Sequence, residues 1–513
     1  MDAIELTLFV KRINAICSEM GEVLIRTAFS PNIRDRLDFS CAVFNAEGEL
    51  CAQAAHIPVH LGSMAYAMQS IVSRITWLPG DIIILNDPYL GGTHLPDITF
   101  IAPVIHRDTL LGFVANRAHH ADIGSDTPGS MPLCTTLQQE GAIIPPTRIM
   151  KSGELVITEI DNLLSRLHQP QKARPDFIAQ ISANKTGLGR LDKLINLMSA
   201  KNFSAGLNQM NDYAEKLAHS SLKNLAPGQY RFSDYMDDDG QHNYDIRISV
   251  TINISDNHIE VDFDGTDKQV TGNINCPLSV TAAAVYYCFY SLMPPDTPAC
   301  AGALRNIKIN APAGTLVNAE YPAAVAAGNV ETSTRIVDVL LGALAQAIPD
   351  KIPAASHGSM NNIAMGNRNW DYYETLGGGM GANRKSDGLD AVQTHMTNTL
   401  NTPIEILENH YPLRVTRYAV RNDSGGAGLH RGGNGLIREY EFLEDCQVTL
   451  LTERRTRRAW GSNGGQPGLP GKNCLNGQVI PGKTSLDVAS GDILTIETGG
   501  GGGWGRPTCQ TPP

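Results

Sequence analysis

Residues 86–122 run NDPYLGGTHLPDITFIAPVIHRDTLLGFVANRAHHAD. Two apolar runs, 98–105 and 110–117, flank the polar turn His106-Arg107-Asp108-Thr109, the pattern of a β-hairpin. In such a hairpin, residues whose numbers sum to about 216 stand opposite each other. Asp97 and His119 satisfy that sum, and His94 is one short step away. The hairpin therefore predicts that Asp97, His119 and His94 meet at one open end. Imidazole and carboxylate together suit Zn²⁺, Mn²⁺ or Fe²⁺. Three convergent ligands beside Gly91-Gly92 leave room for water and substrate, as a catalytic metal site does and a closed structural one does not. The competing reading of the same residues is a surface histidine pair with turn-forming aspartates. Convergence at the hairpin end separates the two.

Upstream, the β-like run 39–44 turns at Asn45-Ala46-Glu47-Gly48 and returns over 50–53, a second hairpin with Gly at the fourth turn position. Asp38, at its open end, falls roughly across from His56. A carboxylate there needs a partner, which a metal or Arg36 supplies. Asp38 is accordingly the candidate fourth ligand. His56 and His60 are candidates for orienting the ligands from behind. Apolar spacing predicts a long amphipathic helix over 3–29 and another over 61–76. Strands are expected at 81–85, 244–254 and 258–263, and helices across 160–220, 279–292 and 332–347. From 376 onward, Gly clusters separate short strands. The fold class is therefore α+β, with a helical and hairpin-rich N-terminal half and a strand- and Gly-loop-rich C-terminal half. Three regions are expected: 1–225, an α+β metal-site domain; 226–375, mixed α/β; and 376–513, Gly-rich and mostly β.

Composition limits the function classes. The chain has 513 residues, net charge −11 and no basic run, which argues against a nucleic-acid binder. No apolar run reaches the length of a membrane span, and the acidic, amphipathic start does not read as a signal peptide. The ten cysteines form no C-x-x-C pair, and Cys17, Cys41, Cys288 and Cys446, in apolar contexts, read as small buried hydrophobes in a reducing cytosol. Residues 477–484 match G-x-x-x-x-G-K-[ST], but no buried strand precedes them and no helix follows. The phosphate-cradling reading fails for that reason, and no nucleotide site is expected in this chain. The run Gly499–Gly503 is expected to be a loop needing positive φ. Neither a G-x-S-x-G nor a cysteine with a credible His partner is present.

Longer motifs carry a resemblance. Residues 31–42 (PNIRDRLDFSCA), 56–64 (HIPVHLGSM) and 86–97 are similar to the hydantoinase B / 5-oxoprolinase family, as are 234–240 (DYMDDDG), 272–277 (GNINCP), 394–399 (THMTNT) and 423–428 (DSGGAG). The likeness spans nearly the whole chain, with Asp35 where Glu is expected and Trp504 where Tyr is expected. The resemblance implies the B-type subunit of an ATP-dependent enzyme. A hydantoinase A-like partner would bind ATP and Mg²⁺ and phosphorylate the carbonyl oxygen of a small cyclic amide. This chain would complete hydrolysis of the hydantoin, 5-oxoproline or lactam at one divalent transition metal. The family's metal ligands map onto His94, Asp97 and His119, with Asp38 as the added fourth. His120 and Asp122 are the catalytic candidates, relaying protons beside the metal. The expected assembly is a cytoplasmic hetero-oligomer. A ketone carboxylase subunit is the alternative within the enzyme class, and a non-catalytic scaffold is the alternative outside it.

Overall fold

The computed structural model describes residues 1–55, 57–255 and 258–507. His56 lies outside them. A seven-stranded sheet organises the N-terminal part, formed by β1 (Phe39–Asn45), β2 (Leu50–Ala55), β3 (Ile82–Leu85), β4 (Asp97–His106), β5 (Thr109–His119), β6 (Thr147–Lys151) and β7 (Glu154–Leu155) in the order β2-β1-β5-β4-β3-β6-β7. The long hairpin β4–β5 has the expected register, with Asp97 opposite His119 and Phe100 opposite Asn116. A bulge between Val104 and Ile105 confines its one irregularity to the far end. The β1–β2 turn is closed by the Gly48 N–H on the Asn45 carbonyl, with Gly48 at φ +79°.

Side chains alternate across a strand, so one sheet can feed two cores. Cys41 and Val43 of β1 face Ile13, Met20, Phe177 and Leu191, from helices Ala3–Thr27 and Pro170–Met198. Ala42 and Phe44, their neighbours, face Met64, Met68 and Ile71 on helix His60–Ile71. Burial on both faces is why β1, β3 and most of β4 and β5 read as unbroken apolar runs.

Strands Gly228–Asp238, Tyr244–Ile254, Ile259–Asp262 and Ile307–Asn310 form a four-stranded sheet, packed against helices Leu278–Tyr290 and Ser333–Ala347. A π-helical turn, Gly328–Thr332, leads into the second of these helices. Strands Asn362–Asn367 and Trp370–Thr375 join Cys446–Leu451 and Lys483–Val488 in another four-stranded sheet. A five-stranded sheet completes the molecule, and the two sheets enclose Ile363, Leu436, Tyr440, Val448 and Ile496. The fold is α+β.

One expectation needs correction. Gly499–Gly503 does not take positive φ. These glycines are extended and buried, and they are threaded between other glycine segments. A Cβ on Gly500 would lie 1.9 Å from the Ser424 oxygen, one on Gly501 2.1 Å from that of Met380, and one on Gly502 2.1 Å from that of Trp460. Their N–H groups bond across the same seams, Gly501 to Gly433 at 2.9 Å and Gly503 to Gln466 at 2.9 Å. Glycine is needed for close backbone approach rather than for left-handed geometry. The Gly-rich segments are therefore interlocked. The 477–484 segment is a strand–turn–strand, and the Lys483 ammonium is buried against Glu453. Among the described residues, no helix is long and apolar enough to cross a membrane.

Candidate metal centre

The open end of the β4–β5 hairpin is where the sequence places its ligands, and backbone bonds fix it there. The Asp97 N–H donates to the His94 carbonyl at 3.1 Å, closing a tight turn ahead of β4. The His119 N–H donates to the Asp38 carbonyl at 3.0 Å, tying the end of β5 to the start of β1. His94, Asp97 and His119 are all buried, and one ligand atom from each falls within 4.8 Å of the others.

Asp97 is the hub. Its Oδ2 accepts a hydrogen bond from the Thr93 hydroxyl and faces His60 Nε2 at 3.3 Å and His94 Nε2 at 3.5 Å. Ser40 Oγ holds the far nitrogen of His60 at 3.0 Å. Burial alone would raise the Asp97 carboxyl, but the His94 and His60 rings outweigh it and hold Asp97 well below the usual carboxylate range. Burial lowers His94, yet the Asp97 carboxylate raises it on balance. His119 is lowered well below the ordinary histidine value by burial and by His94 beside it.

Three buried atoms here have no hydrogen-bond partner: His94 Nε2, Asp97 Oδ1 and His119 Nε2. Unpaired buried polar atoms are costly, so their gathering asks for a shared partner. The His94 Nδ1–H donates to the Ala326 carbonyl at 3.3 Å, which leaves Nε2 as a lone pair facing a carboxylate. Two acceptors so placed need a cation between them, a proton or a metal. His119 stacks on the Tyr373 ring at 4.7 Å and 9°. Its Nδ1 lies 3.3 Å from Asn32 Nδ2, and the Asn32 oxygen accepts from Arg36 at 3.1 Å. Ligation through Nε2 would require the Asn32 amide to turn its oxygen toward Nδ1. With that rotation the donor set fits a divalent transition metal.

The other sequence candidates fall in different places. Asp38 lines the same small cavity, with Asp97, His119, Asn329 and Tyr373, but its carboxylate stands outside the group of three. Burial raises its pKa, opposed by Arg36. The cavity has about 20 Å³ free, the room of one water. His120 turns the other way: its Nε2 donates to Gln180 at 2.9 Å, and it lines a cleft of about 190 Å³ with Asp122, Tyr372 and Tyr411. Both Asp122 oxygens accept backbone N–H groups, from Gly124 at 2.9 Å and Gln169 at 2.7 Å, so this carboxylate clamps the chain. Asn32 and Tyr373 form the wall between the cleft and His119.

Residue periodicity missed Asn32, Thr93, Tyr373 and Glu140. Thr93 was within reach, adjacent to His94 in a ligand-rich stretch. Tyr373 and Glu140 had no local signal, because what they touch is far away in sequence.

The hydantoinase B/oxoprolinase family profile matches residues 2–507. This chain belongs to the hydantoinase B/oxoprolinase family. Among its relatives, 5-oxoprolinase 1 of Arabidopsis thaliana is 38% identical over 98% of the chain, which spans 42% of that longer protein. A Pseudomonas sp. (strain NS671) protein, provisionally named as the B-type subunit of a D-/L-hydantoinase, is 33% identical over 100% of the chain and 91% of its own length. Among solved structures, the ATP-dependent caprolactamase from Pseudomonas jessenii superposes with a TM-score of 0.93 at 26% identity, covering 100% of this chain and 93% of that one. Acetone carboxylase shares the fold, with a TM-score of 0.90 at 17% identity over 99% of this chain and 76% of that one. In this hydantoinase B/oxoprolinase chain, the 86–122 stretch brings His94, Asp97 and His119 together in one buried group.

Proposed function

We propose that this chain is the B-type subunit of an ATP-dependent cyclic-amide hydrolase. The observation that carries the reading is the set of three unpartnered ligand atoms buried together beside a cleft. Family membership and the caprolactamase likeness support a cyclic amide as the substrate class. His94, Asp97 and His119 would hold one divalent transition metal, with Asp38 in reserve as a fourth ligand. Such a metal supplies Lewis acidity and lowers the pKa of water, so that water becomes a nucleophile near neutral pH.

The chain's own residues set that chemistry up. Thr93 and His60 occupy Asp97 Oδ2 and leave Oδ1 free. The Ala326 carbonyl and the Tyr373 face fix the two ligand rings. Arg117, with one unpartnered amino group, lies close enough to sense the Asp97 charge from behind. The cleft lined by His120, Tyr372 and Tyr411 has the volume for a small ring, and Asn32 and Tyr373 separate it from His119. His120 is held neutral by burial, as a proton acceptor needs to be.

An amide nitrogen donates into its carbonyl, and that resonance makes a lactam resist water. Phosphorylation of the carbonyl oxygen by an A-type, ATP- and Mg²⁺-binding partner removes the resistance. The fold offers no strand–loop–helix phosphate cradle at 477–484, which supports assigning activation to the partner. The test is the reconstituted pair with ATP and a panel of hydantoin, 5-oxoproline and lactams. Ring opening that depends on both chains and on added metal supports the reading. Ring opening by the metal-free pair at full rate would sink it.

A further inference from the structure

We propose that Glu140 is a positioning residue for the metal centre, acting on His94 through the main chain of Val325 and Ala326. The inference rests on the metal reading of His94, Asp97 and His119. Glu140 is fully buried at the end of a 3₁₀ turn, Leu137–Glu140. That turn is fixed at both ends. Gln139 Oε1 accepts the Thr136 N–H at 3.1 Å, the Gln139 N–H donates to the Thr136 carbonyl at 3.1 Å, and the Leu137 N–H donates to the Pro322 carbonyl at 3.0 Å. The Glu140 carboxylate then reaches across. Its Oε1 accepts the N–H of Val325 and, at 2.8 Å, that of Ala326.

On the other side of Ala326, the carbonyl accepts the His94 Nδ1–H at 3.3 Å. The Ala327 N–H, in the same peptide as that carbonyl, donates to the Asn273 carbonyl at 3.0 Å. The peptide that orients His94 is thus gripped from both directions, by Asn273 on its own N–H and by Glu140 on the two preceding N–H groups. A carboxylate accepting two N–H groups is a strong clamp because its bonds are charge-assisted. A histidine ligand needs its second nitrogen held, since that bond sets both the tautomer and the ring plane. Glu140 Oε2 is buried with no partner, so this carboxylate is kept in place at a cost. Burial pushes the Glu140 carboxyl up to about 7, and the Ala326 and Val325 N–H groups it accepts oppose that rise.

The test uses the full chain, purified metal-free and titrated with Zn²⁺, and with Co²⁺ to read the ligand field by its visible absorption. Glu140→Ala removes both acceptors and should weaken metal affinity by about ten- to a hundredfold, with an altered Co²⁺ spectrum. Glu140→Gln keeps an oxygen acceptor at the same reach and should stay within about fivefold of the parent. Glu140→Asp keeps the charge but withdraws it by one methylene, and should bind metal more weakly than Glu140→Gln. That comparison decides the matter even where Glu140→Ala does not fold. A folded Glu140→Ala variant with parental Zn²⁺ affinity and Co²⁺ spectrum overturns this inference alone. Equal affinity in the Asp and Gln variants also overturns it. A parent chain that binds neither metal overturns the metal reading itself and this inference with it.

Discussion

His94 Nε2 and Asp97 Oδ2 face each other at 3.5 Å with the histidine's other nitrogen already donating, and such a pair is stable only around a cation. A metal and a proton compete for that place, so metal binding should release protons and weaken as pH falls. Elemental analysis of the purified chain is expected to give about one transition metal per chain. The His94→Ala, His119→Ala double variant should lose it. Full occupancy in that variant would place the metal elsewhere in the chain. Glu331 offers a separate test of buried charge. Burial, with Glu453 beside it, pushes its carboxyl up to about 8. The folded state then keeps a proton that the unfolded chain gives up near the ordinary glutamate value. Stability should therefore fall as pH rises from about 4.5 to about 8, by roughly 1.4 kcal/mol per pH unit in mid-window. Glu331→Gln mimics the protonated acid and should remove that contribution. Denaturant unfolding of parent and variant across the window measures it, and a gap between them that does not widen with pH contradicts the assignment.

The two kinds of element differ in how far the sequence disclosed them. The β4–β5 hairpin was legible down to its register. A short polar turn fixes the count, a period of two fixes the faces, and the sum of 216 places Asp97 on His119. Tyr244–Ile254 was legible for the same reason, alternating exposed and buried. The glycine seams were not legible, because a run of Gly carries no record of what lies against it. Left-handed turns and close backbone approach both call for Gly, and only partners distant in sequence, such as Met380 and Ser424, distinguish them. The Glu140–Val325–Ala326–His94 chain was hidden in the same manner, since each link joins separate segments. Substitution separates the two glycine roles. Gly501→Ala would put a Cβ 2.1 Å from the Met380 oxygen, a rigid backbone atom. Gly499→Ala meets nothing closer than 3.5 Å. Gly501→Ala is expected to cost at least about 1–3 kcal/mol, as overpacking does, and Gly499→Ala much less. Comparable unfolding midpoints for the two variants would contradict the interlocked arrangement.

At the scale of the whole molecule, the chain spans 42% of the Arabidopsis oxoprolinase it resembles and 91% of the Pseudomonas hydantoinase chain. The first relative has more than half its length outside the match, and the second bears a name that presupposes another subunit. The expected division of labour follows from the barrier. In the proposed mechanism, water activated by a metal held at His94, Asp97 and His119 would attack a resonance-stabilised lactam slowly, and ATP-driven phosphorylation alone would leave a phosphorylated ring with no nucleophile. Each half would lower a part the other cannot. Asp97→Asn should therefore separate them. It keeps the side-chain volume and the Thr93 contact while withdrawing the charge that His94 and His60 surround. The complex is expected to assemble, ADP release is expected to persist in part, and ring-opened product should fall by at least about a hundredfold. The measurement is ADP and product in parallel, with bicarbonate present and absent. Equal losses of both would tie the centre to activation instead of hydrolysis. A strict bicarbonate requirement with a carboxylated product would transfer the chain to ketone carboxylation, the chemistry named for its structural neighbour acetone carboxylase. Unchanged ring opening in Asp97→Asn would take the buried centre out of the mechanism, whatever it binds.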